Sequence, residues 1–484
     1  MPLIIFLVFI CVVVWTLALA RIKVPLSHLQ KFNPLHMIGL LVIFVGSVFG
    51  AEFFSVSVGP IPVTFDRLLL GGLVVLAGWA YLVNREHVRV PNGMDLAIVG
   101  VIGLLALSTI THDYKFSNNL PVTRLLFFYL LPFALYMVVR NAKLNQLDLA
   151  AITTGLGALA LYLALTGIAE VKQFHSIVFP RYIVESTTSE FFGRGRGPFL
   201  NPVSNGIFII AGFSCICFWW PRSSQRVRLF ILATTAIAAI GAYATLTRSV
   251  WVTLFLVVGI GLWLTTNQSQ KGKLLIAGTL AGVMLFPVIG DKIFSFKRDK
   301  EVTVEQMSQS AQLRPLFLSV AMRMFQDRPV LGCGFGQYAR EKYPYLQDPY
   351  TGKELSKTKT YLQHNVFLAY LTELGIVGLA ALLAMLGVMA RSAWTLWTDQ
   401  KRSIEQRQMG LLLVTVLAGF CVNGMFHDTS IMPMVNYLLF FVAGLVNNLQ
   451  TAPAAAFEAV DQTEGRTTKA PKHRLPTHGS PATG

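Results

Sequence analysis

The stretch from Leu149 to Ala169, "LAAITTGLGALALYLALTGIA", contains no charged side chain. It is as long as the ~20 residues a helix needs to cross the hydrocarbon core of a bilayer. Apolar runs of this kind recur along most of the chain, about thirteen in all, centred near Phe9, Val45, Val74, Gly103, Tyr129, Leu159, Phe208, Ile237, Leu256, Gly282, Gly378, Leu417 and Leu439. They are apolar on every face, which excludes amphipathic helices on the surface of a soluble domain. Composition agrees: 54% of the residues are hydrophobic and 13% charged, against about a quarter charged in soluble domains. The fold class implied is an all-α polytopic membrane protein of about 12–13 transmembrane helices with a large, partly helical loop on one side of the membrane.

The net charge of +16 would suggest nucleic acid as the partner of a soluble chain. Here the basic residues fall in alternate connections: Arg21, Lys23 and Lys31, then Arg85 and Arg89, Arg140 and Lys143, Arg222, Arg226 and Arg228, Lys271 and Lys273, and finally Arg391, Lys401, Arg402 and Arg407. The positive-inside rule puts these loops and the C-terminal tail in the cytoplasm and the N-terminus outside, and no nucleic-acid role is needed. Met1 to Ala20 lacks a basic n-region and reads as a retained span rather than a signal peptide. Four of the five cysteines lie in or beside apolar runs and read as small hydrophobes, with no zinc spacing and no disulfide framework. The tail from about Thr451, rich in Pro, Thr, Ala and Gly, reads as disordered. The expected organisation is 1–190 as N-terminal transmembrane helices, 191–390 as a core that includes an outer loop over 291–363, 391–450 as C-terminal transmembrane helices, and 451–484 as a cytoplasmic tail.

Two outward segments are too long for turns, from about Glu170 to Asn201 and from about Asp291 to Gln363. The polar residues that need a reason gather around them. In "LRPLFLSVAMRMFQDRPV", Leu313, Phe317, Val320 and Met324 recur at helical spacing. Pro315 suits a first helical position, so Arg314 is expected just outside the helix start, with the helix ending near Asp327. Arg314 then reads either as a site residue or as a headgroup-facing arginine. "GCGFG", Gly332 to Gly336, lacks the strand and helix of a phosphate loop and reads as a tight turn back toward the membrane. Arg248 stands between two apolar runs with almost no connection; it faces either a wet interior or, by snorkelling, the interface. Arg194 and Arg196 sit among glycines in "FFGRGRGPFLNPVSNG", as a basic surface loop or as forks for a polyanion. His364 precedes the eleventh run, either as a helix-end residue or as a base with access to both water and a membrane-edge cavity. Glu373, nine residues on, is expected on the opposite helix face and deeper, bonded to a neighbouring helix or protonated. His427, in the short turn after the twelfth run, is a candidate second imidazole. Several cations and one titratable base on one face suit a substrate that carries a diphosphate, whereas ion conduction calls for chains of intramembrane carboxylates.

In this order, "GRGRGPFLNPVSNG", "TLTRSVWVTLFL", "LRPLFLSVAMRMFQDRPVLGCGFGQY" and "HNVFLAYLTELGIVGL" resemble the O-antigen ligase and polysaccharide polymerase family of bacterial inner-membrane proteins. The resemblance covers roughly Phe191 to Leu383. It implies a GT-C-like, metal-independent glycosyltransferase that needs no cofactor, with an undecaprenyl-diphosphate-linked glycan as donor and lipid A-core or a growing polysaccharide as acceptor. It also implies a multi-pass protein of the inner membrane, among membrane lipids, with its active site facing the periplasm. Carried over by motif, His364 matches the proposed base, and Arg248 and Arg314 match arginines that hold the diphosphate. Arg194, Arg196, Asn201 and Asn365 fall in motifs of substrate binding. The sequence departs from the pattern in an extra N-terminal span and in "NPVSNG" where Asn-Pro-Asn is usual. A lipid-linked glycan transporter and a scaffold for polysaccharide export are the competing classes. The sequence does not separate ligase from polymerase.

Overall fold

The computed structural model describes residues 32–58, 61–84, 89–112, 121–185, 191–267, 269–273, 304–347 and 354–451. Among the described residues twelve helices carry the fold: α1 (Pro34–Val48), α2 (Phe65–Asn84), α3 (Gly93–Thr111), α4 (Pro121–Asn141), α5 (Gln146–Val171), α6 (Pro202–Cys217), α7 (Gln225–Ala244), α8 (Arg248–Thr265), α9 (Val304–Asp327), α10 (Val366–Thr398), α11 (Ile404–Gly424) and α12 (Pro433–Thr451). Among the described residues nine of them are long and apolar enough to cross a membrane, and α1 is a shorter apolar helix. The chain is an all-α polytopic membrane protein. Eleven of the apolar runs fall on helices; those centred at Phe9 and Gly282, the stretch Met1 to Ala20 and the tail beyond Thr451 lie outside the described residues. A hairpin of β1 (Ser55–Val58) and antiparallel β2 (Ile61–Thr64) links α1 to α2.

Helix starts are written in the sequence. Asn92 with Asp95, and Asn145 with Asp148, form reciprocal capping boxes at α3 and α5, and Ser403 with Gln406 does so at α11. Proline occupies the first turn of α1 and α6, where its missing N–H costs no hydrogen bond.

One cluster of buried side chains runs from Leu40 to Leu449, with α12 buried along nearly its whole length. Helices approach closely where glycine meets alanine: a Cβ on Gly212 would lie 2.3 Å from Ala160, and one on Gly241 2.3 Å from Ala164. Small residues let helices pack by van der Waals contact where lipid removes the hydrophobic drive between them. The outward faces are apolar, with Val75 71%, Leu229 70% and Phe255 75% exposed. Water would not tolerate such a surface, whereas lipid suits it.

The outer segment has a small core of its own, in which Val320 and Met324 of α9 pack with Cys333, Tyr338, Leu346 and Leu355. Of the expected face, Phe317, Val320 and Met324 are buried and Leu313 is half-buried, and the helix ends at Asp327 as expected. Its start differs. α9 begins at Val304, so Pro315 lies inside the helix and Arg314 projects from it rather than standing before it. An interior proline removes one hydrogen bond and crowds the preceding turn, a cost of about 3 kcal/mol, but its φ is helical and the buried face from Phe317 onward holds the downstream turns.

Candidate active site

The start of α10 and the turn from α11 to α12 lie against α9, and the turn from α7 to α8 brings Arg248 within electrostatic reach of it. α7 stops at Ala244, and the chain turns over Thr245–Thr247, with Leu246 at φ 49°. Thr247 Oγ1 donates to the Thr245 carbonyl at 2.9 Å, and Arg248 opens α8. The glycine-rich loop braces this turn: the Gly195 N–H donates to the Ala244 carbonyl at 2.8 Å, and the Asn205 amide donates to the Gly195 carbonyl at 2.9 Å. Gly197, at φ 57°, leaves no room for a Cβ, which would lie 2.7 Å from Asn205 Oδ1.

The side chains of that loop are turned into the fold. Arg196 is 1% exposed; it donates to the Ile183 carbonyl at 2.8 Å and lies 4.0 Å from Glu170. Glu170 also accepts from the N–H groups of Arg196 (3.2 Å) and Gly197 (2.8 Å). Arg194 is buried against the Phe191 ring, 5.2 Å from its centroid. Asn201 caps α6 by accepting from Val203 N at 2.9 Å and Ser204 N at 3.1 Å. These contacts build the brace behind Arg248.

Arg314 stands within electrostatic reach of both Arg248 and His364. Arg314 reaches solvent, yet desolvation of its buried part and then the Arg248 guanidinium hold it below the ordinary arginine value. Its guanidinium lies 4.8 Å from the Phe426 ring centroid, in the turn between α11 and α12. Three residues on along α9, and therefore on the same helix face, the Phe317 ring lies 5.5 Å from the His364 imidazole. Tyr361 flanks the imidazole at 6.1 Å. His364 is exposed overall, with its ring beside these two aromatics. Desolvation, then Arg314, then Lys342 lower its pKa from the model-compound value of 6.5. All three favour the neutral imidazole.

Asn365 secures the doorway. Its Oδ1 accepts from Phe367 N (2.9 Å) and Leu368 N (3.0 Å), and its Nδ2 donates to the Met425 carbonyl at 2.9 Å. Met425 precedes Phe426, so one side chain caps α10 and fixes the turn on which Arg314 rests. His427 follows on this turn. Asp428, where burial pushes the carboxyl up, accepts from Ser430 N at 3.2 Å.

The glycines of Gly332 to Gly336 form the expected turn, and what they turn around was not legible. α10 is broken at Gly375, whose φ is 65° and ψ −162°. The turn fills the break. The amides of Cys333 and Gly334 donate to the carbonyls of Thr372 and Glu373 at 2.9 Å each, and the Ile376 amide donates to the Pro329 carbonyl at 2.8 Å. Glu373 is buried in the break, accepting from Gly336 N at 2.9 Å and lying 3.9 Å from Arg124. It bonds to neighbouring elements, as expected. The missed residues are Phe317, Phe426, Lys342 and Arg124. Phe317 could have been found from its helical spacing with Arg314, whereas Phe426 and Arg124 reach the site only through packing.

Residues 233–383 match one protein-family model. The family model described as O-antigen ligase matches this segment, which contains Arg248, Arg314, His364 and the broken helix. The braced glycine loop lies before the match and the Phe426 turn after it. No curated protein matches the chain.

Proposed function

We propose that this protein is a membrane glycosyltransferase that moves a glycan from an undecaprenyl-diphosphate carrier to an acceptor hydroxyl on the periplasmic face of the bacterial inner membrane. What supports the reading is that Arg314 lies within electrostatic reach of Arg248 on one side and of a neutral-leaning His364 on the other.

In this reading His364 takes the proton of the acceptor hydroxyl as the oxygen attacks the anomeric carbon. The bond from that carbon to the diphosphate oxygen breaks, and its electron pair leaves with undecaprenyl diphosphate. Arg248 and Arg314 meet the charge that develops on the leaving group, and arginine forks match phosphate oxygens two at a time. Their position beside apolar walls strengthens the interaction relative to bulk water. Attack opposite the leaving group inverts the anomeric carbon. The arginines serve as the electrophile, so no step is assigned to a metal. Arg194, Arg196 and Asn201 act through the loop that braces Arg248, and Asn365 through the turn that carries Phe426.

Purified protein, donor lipid and an acceptor glycan or lipid A-core test this reading. Product without any ion gradient is expected, and a requirement for a gradient would favour a transporter. Near-normal turnover by His364→Ala would remove His364 from the chemistry. Mass spectrometry of surface glycans from a deletion strain assigns the acceptor: single-repeat caps indicate a polymerase and unattached long chains a ligase.

A further inference from the structure

Lys342 follows the short Tyr338–Glu341 helix and is 2% exposed. Its ammonium donates to the Thr358 carbonyl at 3.1 Å and to the Tyr361 carbonyl, and lies 5.4 Å from the Tyr338 ring centroid. Among the described residues its partners are carbonyl dipoles and a ring, not a carboxylate. Burying an ammonium on such terms is costly, and burial lowers the Lys342 pKa to about 8. A neutral residue would fill the space more cheaply.

What the lysine holds is the approach to His364. His364 has φ 49°, a left-handed conformation that a non-glycine residue keeps only when its surroundings impose it. The segment is tied at three places. Lys342 holds the Tyr361 carbonyl, Gln363 Nε2 donates to Thr372 Oγ1 at 3.0 Å, and Asn365 is fixed by its cap and by Met425. The last two ties lie on or beside α10, and the Lys342 tie anchors the segment to the outer domain. We propose that Lys342 is a positioning residue for glycan transfer, fixing the backbone that presents His364 to the acceptor hydroxyl.

The inference rests on His364 acting as the base. The charged groups facing the imidazole are Arg314 from α9 and Lys342 from the end of the Tyr338–Glu341 helix, while Phe317 and Tyr361 supply aromatic walls. Removing the Lys342 charge therefore moves the protonation of His364 as well as its placement.

The test compares Lys342→Met, Lys342→Gln and Lys342→Arg with His364→Ala in full-length purified protein. Transfer is assayed across pH, and His364 is titrated independently by NMR of histidine-labelled protein. A misplaced catalytic group costs roughly ten- to hundredfold in rate, so that loss is expected in kcat of the Met variant, with the donor KM little changed. The His364 midpoint should move to higher pH in the Met and Gln variants and stay near wild type in the Arg variant, which should recover part of the rate. The Gln variant, which keeps a neutral donor group, decides the matter should the Met variant not fold. A folded neutral variant with normal kcat and an unmoved midpoint overturns the Lys342 role while an inactive His364→Ala leaves the base standing. Normal transfer by His364→Ala overturns both.

Discussion

Arg248 at the first turn of α8 and Arg314 on α9 share one electrostatic environment: after burial, the charge of Arg248 is what depresses the pKa of Arg314. Two guanidiniums drawn from helices far apart in sequence repel each other, and the fold tolerates this at its rim. A dianion between them would convert the repulsion to attraction. The Phe426 face under Arg314 offsets part of the cost through its negative quadrupole.

Replacing either arginine should therefore harm the reaction and not the fold. Arg314→Ala and Arg248→Ala are each expected to lower kcat/KM by about 10²–10³, measured with purified protein and lipid-linked donor. Arg314→Lys should rescue little, because a point charge does not reproduce the planar fork. Arg196→Ala should differ in kind. It strips Glu170 of a buried partner, so its loss should be in thermal stability and folded yield.

With His364 as the proposed base, the pH dependence follows from its neutral form, and desolvation, Arg314 and Lys342 hold its folded pKa below 6.5. The rate of the wild type should rise with pH through that lowered value and be near its plateau by the ordinary histidine range. Arg314→Gln removes one cause and should move the acid limb to higher pH, visible in the residual activity. His364→Ala should abolish the limb and cost about 10²–10⁴ in rate.

The helices could be read from the sequence because the bilayer imposes one rule on every span, and apolar runs of sufficient length obey it. Arg248 and His364 stood out for the converse reason, since each breaks that rule at the end of a run, whereas Arg314 stood out beside a proline in the long outer segment. The start of α9 misled because proline marks a helix start by statistics, whereas here a buried face downstream outweighs one lost hydrogen bond. The engagement of Arg196 with Glu170 was hidden because it joins the end of one span to a loop beyond it, and spacing carries no information on such a pair. The break at Gly375 was signalled only by a glycine inside a span, which membrane helices often contain without a kink.

That break gives a sharp test of backbone geometry. A Cβ at Gly375 would lie 2.2 Å from the Val330 carbonyl oxygen, and one at Gly332 would lie 2.4 Å from the Glu373 carbonyl carbon. Both glycines also have φ between 65° and 69°. Gly375→Ala and Gly332→Ala should each destabilise by about 1–3 kcal/mol through strain and displacement of the turn, lowering thermal stability and activity together. Gly387→Ala in the same helix meets nothing within 4 Å and should be close to neutral. Equal thermal midpoints for Gly375→Ala and Gly387→Ala would contradict the interlocked turn.

The opposite end of the bundle separates stability from chemistry. Arg140, 1% exposed, forms an ion pair with Asp95 at 2.7 Å and donates to the carbonyls of Val90 (2.7 Å) and Arg89 (3.1 Å). The Tyr136 hydroxyl donates to Asp95 at 2.6 Å, and Asn447 of α12 joins the same carboxylate at 3.2 Å. One carboxylate thus gathers α3, α4 and α12. Removing it leaves the guanidinium buried without its counter-ion, which costs about 3–5 kcal/mol in comparable pairs. Asp95→Ala should therefore lower folded yield and thermal stability strongly, and Asp95→Asn, which retains an acceptor, should do so less. Neither touches Arg248, Arg314 or His364, so the fraction that folds should bind donor with an unchanged KM and keep the wild-type pH profile. A shifted acid limb in folded Asp95→Asn would mean that the two ends of the bundle are coupled through α4 and α12, and that the site is less self-contained than its local bracing implies.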